Sequence, residues 1–332
     1  MSNRPLLIVL SATRNYAWCT RAFLETNSRW ADYIILVDQM SIDGTREMCM
    51  EYDNVILLDD HDLSYSETRR CEMALQRARQ IEGDKILFWL DIDEIFPANW
   101  LSTVDGKRIL ESQVGCMFFM YWANLLPDCE RCVRVKSDGD YSFMYRVLHD
   151  DGVTPYQNGG LDMHTLKLPY CKKGKEFFVR DFPLLHFGIY NHAWSYVKQH
   201  YYPMVDFDKN GRSVVTLSRM YNPESAITIA NNSIEGELVE RDWLWNDFDV
   251  YELVDTQSVP YLCVYMQELI DKNTIRRYRL LDIWDKKMLN YLQMNDPRPW
   301  WIKPIHYYFH ITMKKRRSVI VRAIDKILKQ II

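Results

Sequence analysis

Along the first hundred residues, short unbroken apolar runs alternate with stretches whose apolar positions recur every three or four residues. The runs 6–10, 33–37, 55–58 and 86–90 are apolar on both faces and too short for helices, so they predict buried strands. Between them, 16–26, 45–52 and 66–81 predict helices. The second opens at the Asp43-Gly44 turn, and the third is capped by Ser64 or Ser66. Such alternation predicts an α/β fold, a mainly parallel central sheet with helices on both faces. Ligands of such sheets gather beyond the carboxyl ends of the strands.

After Trp100 the rhythm changes. Residues 116–122, 131–135, 143–148, 165–168 and 184–187 predict further strands, and 192–207 a helix. From about 212 the pattern is helical, most clearly over 275–292. The expected organisation is a catalytic domain over 1–210 with halves near 1–125 and 126–210, a helical extension over 211–296, and an aromatic, basic tail over 297–332. No internal repeat or low-complexity segment interrupts this plan.

Composition narrows the classes. Hydrophobic residues make up 48% of the 332 and charged ones 26%, an ordinary globular balance. A formal net charge of −4 argues against a general nucleic-acid binder. The eight cysteines lack the dense, regular spacing of a disulfide scaffold. The run 6–10 is too short for a signal-peptide core, and no apolar stretch reaches the ~18 residues of a spanning helix. A cytoplasmic, reduced protein is expected.

The sharpest chemical feature is Leu87-Phe88-Trp89-Leu90-Asp91-Ile92-Asp93-Glu94, an apolar strand delivering three carboxylates to its own end. Strand alternation predicts Asp91 and Asp93 on one face, where both meet one hard cation such as Mg²⁺ or Mn²⁺ bridging to a diphosphate. The plain alternative is a solvated acidic loop. Three polar groups precede it: Ser11-Ala12-Thr13-Arg14-Asn15 after the first strand, Asp38 to Thr45 after the second, and Arg69 on the third helix. Singly, Asp43-Gly44 is turn chemistry and Arg69 a surface charge. Together they make the acceptors and cation that a nucleotide pocket requires.

This order resembles that of family-2 glycosyltransferases of GT-A fold: a first-loop Thr, an Asp-rich loop ending Asp-Gly-Thr, an Arg-bearing helix, and an acidic triplet. The resemblance covers about residues 5–100. It implies that Thr13, Asp38, Asp43 and Arg69 hold the nucleoside diphosphate of a nucleotide-sugar, that Asp91 lies near ribose and metal, and that Asp93 is the principal metal ligand. Gln39-Met40 stands where many members have Asp-Gly. Gly160-Leu161-Asp162-Met163-His164 is similar to a Gly-x-x-His element that often continues with Glu, where this chain has Thr165. His186, in Leu184-Leu185-His186-Phe187-Gly188, resembles a later His element. Contact with metal or phosphate and a purely structural place are both open for it. An inverting transfer to a glycan or lipid-linked acceptor needs a general base. The candidates are Asp162, the leading one, Glu94 and His164.

Other signals compete. Cys129-Glu130-Arg131-Cys132 has zinc-ligand spacing that His149 or His164 would complete, but ordinary reduced cysteines account for it. Tyr121 and Trp122 are candidates to face a sugar. A haloacid-dehalogenase-like phosphatase also carries Asp-x-Asp after an apolar strand, normally the first. A catalytically silent binding protein is the third reading. In the tail, Lys314, Lys315, Arg316, Arg317, Arg322, Lys326 and Lys329 oppose one acid, Asp325, beside isoleucines at helical spacing. With Trp300, Trp301, Tyr307, Tyr308 and Phe309 upstream, the tail predicts peripheral contact with an anionic membrane, on its inner face. A helix packed on its own domain or on a second subunit is the alternative.

Overall fold

A computed structural model describes residues 4–128, 130–137, 140–157, 165–221, 236–256 and 260–332. The four apolar runs form β1 (Leu6–Thr13), β2 (Tyr33–Asp38), β3 (Val55–Asp59) and β4 (Lys85–Trp89), side by side and parallel in the order β3-β2-β1-β4. They are joined by α1 (Ala17–Asn27), α2 (Thr45–Cys49) and α3 (Glu67–Arg79). Ser66 caps α3, its side chain accepting from the Arg69 amide. Through Cys71, Ala74, Leu75 and Ala78, α3 covers the sheet face made by Ile8, Leu10, Ile35, Val37, Leu87 and Trp89. The other face is buried as well: Phe88 meets Trp30, Phe96 and Trp100 at ring separations of 4.9 to 5.6 Å. Burial on both faces is why β1, β2 and β4 read as unbroken apolar runs, while β3, at the sheet's edge, is only partly buried.

Beyond β4 come β5 (Glu94–Ile95), α4 (Val104–Leu110), β6 (Met117–Leu125), β7 (Arg131–Arg134), a small hairpin of β8 (Lys136–Ser137) and β9 (Asp140–Tyr141), and β10 (Phe143–His149). Strand β10 inserts antiparallel between β4 and β6, so the mostly parallel sheet continues with a reversed neighbour. Then follow β11 (Glu176–Phe178), β12 (Leu184–His186) and β13 (Glu237–Leu238). Strand β12 runs parallel to β6 and antiparallel to β5, which brings His186 opposite Glu94. Residues 165–168, expected as a strand, form none. Their apolar positions serve burial instead, with Leu168 in the α3-side core.

The chain divides into two compact units, Met1–Asn191 with Ile234–Ser258, and His192–Ser233 with Val259–Ile332. The second contains α5 (His192–Asn210), which the expected domain 1–210 included, α6 (Val214–Met220), α7 (Leu262–Asn273), α8 (Ile275–Tyr278), α9 (Lys286–Tyr291), α10 (Ile302–Thr312) and α11 (Val319–Ile331). The helix expected over 275–292 is broken between α8 and α9. Asp285 starts the second piece by accepting from the amides of Lys287 and Met288, and Trp284 Nε1 donates to Tyr278 O across the gap at 3.0 Å. Among the described residues no helix is long and apolar enough to cross a membrane.

Candidate active site

Thr13 and Asp38 are register partners at the carboxyl ends of β1 and β2, and Ser11 lies two residues before Thr13 on the same face. All three are buried. Asp38 Oδ2 accepts from Arg46 at 2.6 Å and from the Ser41 amide at 2.9 Å. Asp38 Oδ1, Thr13 Oγ1 and Ser11 Oγ have no hydrogen-bond partner among the described residues. A buried polar atom without a partner costs about 1–3 kcal/mol. Three together at the strand ends leave bonding capacity that the described residues do not use.

The loops around them are tied to each other. Asn15 N donates to Ser41 Oγ (2.7 Å) and Ile42 N to Asn15 Oδ1 (2.7 Å), while Tyr16 N donates to Thr45 Oγ1 (3.0 Å). Asn15 and Met40 adopt left-handed backbone, at φ 55° and 54°, to make these bonds. Asp43 belongs to the same lacing. Its Oδ2 accepts from Ala17 N at the start of α1, and its Oδ1 from the amide and hydroxyl of Thr45. Both oxygens therefore serve the chain itself, against the expectation that Asp43 binds a cofactor. Gln39 donates to Asp62 O and Ser64 O, bracing the loop before α3. Arg69 is folded onto that same loop, on Asp60, Asp62 and two of its carbonyl oxygens. The expected phosphate cation is thus occupied locally.

The acidic segment is a turn, not a continuation of the strand: β4 ends at Trp89, and Glu94 N donates to Asp91 O at 2.8 Å. Alternation consequently does not set Asp91 and Asp93 on one face. The Asp91 side chain is 41% exposed and bonded by Trp89 Nε1 and Arg146, whereas that of Asp93 is 3% exposed and faces His186. Glu94 is wholly buried. Its Oε1 accepts from Trp122 Nε1 (2.6 Å) and Arg146 Nη2 (2.9 Å), and its Oε2 from Asp91 N (2.9 Å). Burial pushes the Glu94 carboxyl up, to about 7, against the pull of Arg146. With every oxygen engaged and no exposure, Glu94 braces the turn, and its expected role as base is set aside.

Desolvation by the surrounding protein raises the Asp91 carboxyl, although it is 41% exposed, but Arg146 and Lys167 outweigh this and hold it below the usual carboxylate range. Lys167 pairs with Glu67 at 2.6 Å. Burial would lower its pKa, and the Glu67 and Asp91 carboxylates raise it instead. Neither Arg146 nor Lys167 was expected from the sequence. The signal was present in Arg146, a lone charge inside the apolar strand run 143–148, which burial obliges to find an anion. Four carboxylates (Glu67, Asp91, Asp93, Glu94) against these two cations leave a formal surplus of two negative charges.

His186 is positioned with care. Asn124 Oδ1 lies 2.7 Å from its Nδ1, and Trp122 stacks on the ring at 4.7 Å. This turns Nε2 toward Asp93 Oδ2, 3.4 Å away. Two donors on one octahedral ion at right angles sit about 3 Å apart, so the pair fits as two ligands of a divalent cation. A Cβ on Gly188 would lie 2.2 Å from the His186 ring, so only glycine leaves the imidazole its place. Carboxylate plus imidazole suits Mn²⁺ better than Mg²⁺. Among the described residues no cluster of three or more His, Cys, Asp or Glu side chains is arranged to hold a metal.

Trp122 is thus part of the site's frame, while Tyr121 is buried and stacked on Tyr141 at 3.9 Å, a packing residue and not a sugar platform. His149 is bonded by Ser112 and Asp84, Cys132 is buried, and among the described residues neither joins a metal-holding cluster. Asp162 and His164 lie outside the described residues, as does Cys129.

No protein-family profile and no curated protein matches the sequence. Among solved structures, S. aureus TarS (1–349) aligns over 98% of this chain and 91% of its own at 10% identity, with a TM-score of 0.41. A 4-diphosphocytidyl-2C-methyl-D-erythritol synthase aligns over 45% of this chain and 76% of its own at 10% identity, TM-score 0.31. Glucosyl-3-phosphoglycerate synthase from Mycobacterium tuberculosis, in complex with Mn²⁺, UDP and phosphoglyceric acid, aligns over 37% and 44% at 16% identity, TM-score 0.25. Similarity of this size carries no argument about activity, and the chemistry has to come from the site itself.

Proposed function

We propose that this chain is a GT-A-type glycosyltransferase of the family-2 kind. It moves a sugar from a nucleoside-diphosphate donor to a hydroxyl of a glycan or lipid-linked acceptor, with inversion, in cell-surface polysaccharide or glycoconjugate synthesis. The adjacency of two features carries this reading: unpartnered Thr13 and Asp38 atoms on β1 and β2, and the Asp93–His186 pair next to β4. Strand β1 lies between β2 and β4, so the ends of β1 and β2 and the turn after β4 that carries Asp93 follow one another along one sheet edge. A ligand with a base at one end and a diphosphate at the other would lie along that edge.

In this reading Thr13, Asp38 and Ser11 bond the nucleoside. Asp93 and His186 would hold Mn²⁺ or Mg²⁺, with Asp91 facing the ribose and Arg146 and Lys167 fixing its charge. Such an ion, when bound, neutralises the diphosphate as it departs. Asp162 removes the acceptor's proton, with His164 as the other candidate; Glu94 is too enclosed to reach a substrate. The phosphatase alternative needs Asp91 as a free nucleophile, yet Arg146 and Trp89 bond its two oxygens. The workplace is the cytoplasm, at the membrane's inner face where the acceptor is lipid-linked.

Calorimetric titration of nucleoside diphosphates with and without Mn²⁺ tests the reading. Chelation should weaken binding at least tenfold, and Asp93→Ala should abolish transfer with the thermal midpoint unchanged. Affinity indifferent to the ion would sink the metal assignment. Asp162→Asn should cut turnover by about 10²–10⁴ with donor affinity preserved. Near-normal turnover moves the base to His164.

A further inference from the structure

Helix α11 carries three stripes. Val321, Asp325 and Leu328 form the first, with Val321 and Asp325 buried. Asp325 receives both Arg219 Nε (2.9 Å) and Nη2 (2.8 Å) from α6, and the Tyr308 hydroxyl (3.1 Å) from α10. Arg219 also donates to Phe309 O and Thr312 Oγ1. One guanidinium therefore fixes how α11 is rotated about its axis, and it neutralises the segment's single acid. Tyr308 and the buried Phe309, expected among headgroup-facing aromatics, are parts of this clamp and its packing.

With that stripe turned inward, a second one faces outward: Ile320, Ile324, Ile327 and Ile331, of which Ile320 is 74% and Ile327 58% exposed. Arg322, Lys326 and Lys329 form the third and are exposed, as are Lys314, Lys315, Arg316 and Arg317 in the preceding turn. The isoleucine and basic stripes flank a strip of Val319, Ala323 and Gln330, all exposed.

We infer that this face adsorbs to an anionic lipid bilayer, with the isoleucines at the acyl boundary and the seven cations at the phosphates. Charge selects this occupant over a second copy of the chain, since antiparallel pairing would set seven cations against seven. The whole chain is net −4 although its tail is basic, so an anionic surface attracts the tail and repels the remainder. The inference extends the reading of a lipid-linked acceptor. It is read by adsorption alone, however, so it stands or falls apart from transfer.

Flotation of the full chain on vesicles of phosphatidylglycerol and phosphatidylcholine, and on phosphatidylcholine alone, tests it. Binding should favour the anionic vesicles at least tenfold and weaken at 0.5 M salt, where the screening length falls to about 4 Å. Ile320→Ser with Ile327→Ser should lower partitioning on the order of a hundredfold, the thermal midpoint unchanged. Glutamine at 314–317 should lower it by about as much. Equal binding to neutral vesicles, absence of binding, or undiminished binding by both variants would overturn the proposal. So would a concentration-dependent dimer in sedimentation that the double Ile variant dissociates, which would assign the stripe to a second copy.

Discussion

Two stretches of one sheet edge treat their polar atoms in opposite ways. Where β1 and β2 end, Ser11, Thr13 and Asp38 keep buried oxygens without partners. Where β4 ends, Glu94 spends both oxygens on Arg146, Trp122 and the Asp91 amide. The second arrangement lets the fold hold a strained concentration of charge in a fixed shape. The first leaves bonding capacity that folding does not use. In the proposed reading the site divides its labour: one end supplies geometry, the other unused bonding capacity for a ligand.

The comparison breaks most visibly at Arg146. Arg146→Met leaves Glu94 buried without its cation and should cost about 3–5 kcal/mol in denaturant unfolding. A loss under about 1 kcal/mol would mean that the turn is not held by this pair. The opposite outcome is expected at Thr13. Thr13→Val removes an unpartnered hydroxyl and should leave stability unchanged or raise it by about 1 kcal/mol. Nucleoside diphosphate affinity should nevertheless fall about tenfold in titration, the cost of one lost ligand hydrogen bond to a buried oxygen. Lower stability with unchanged affinity would make Thr13 an ordinary core residue. The smallest effect concerns Arg69. Because its partners are its own loop, Arg69→Lys should cost about 1 kcal/mol in stability and change donor affinity less than about threefold. A larger affinity loss would return Arg69 to the phosphate.

The parallel half of the fold was legible because strands buried on both faces cannot hide: 6–10, 33–37 and 86–90 have no polar face, and neither has the partly buried edge run 55–58. The acidic turn was legible as a motif but not as a geometry. Alternation assumes that the strand continues, and here it stops at Trp89. The break between α8 and α9 was hidden for a related reason. Tyr278, Leu281, Trp284 and Met288 are all buried, so the apolar rhythm persists across a gap in the helix. The family resemblance directs Arg69 and Asp43 toward a ligand. Their partners, Asp60, Asp62, Ala17 and Thr45, are brought close only by the folded loops.

The lacing between the loops after β1 and β2 has a thermodynamic consequence. Bonds from Asn15, Tyr16, Ala17 and Ile42 to partners in the opposite loop join the two into one piece before anything binds. In the proposed reading, a donor arriving at Thr13 and Asp38 meets a preorganised rim, and little conformational entropy is left to surrender on this side. Affinity for the nucleoside part should therefore be carried by contacts and desolvation, with a heat-capacity change set by the ligand's own buried area and no added contribution from loop folding.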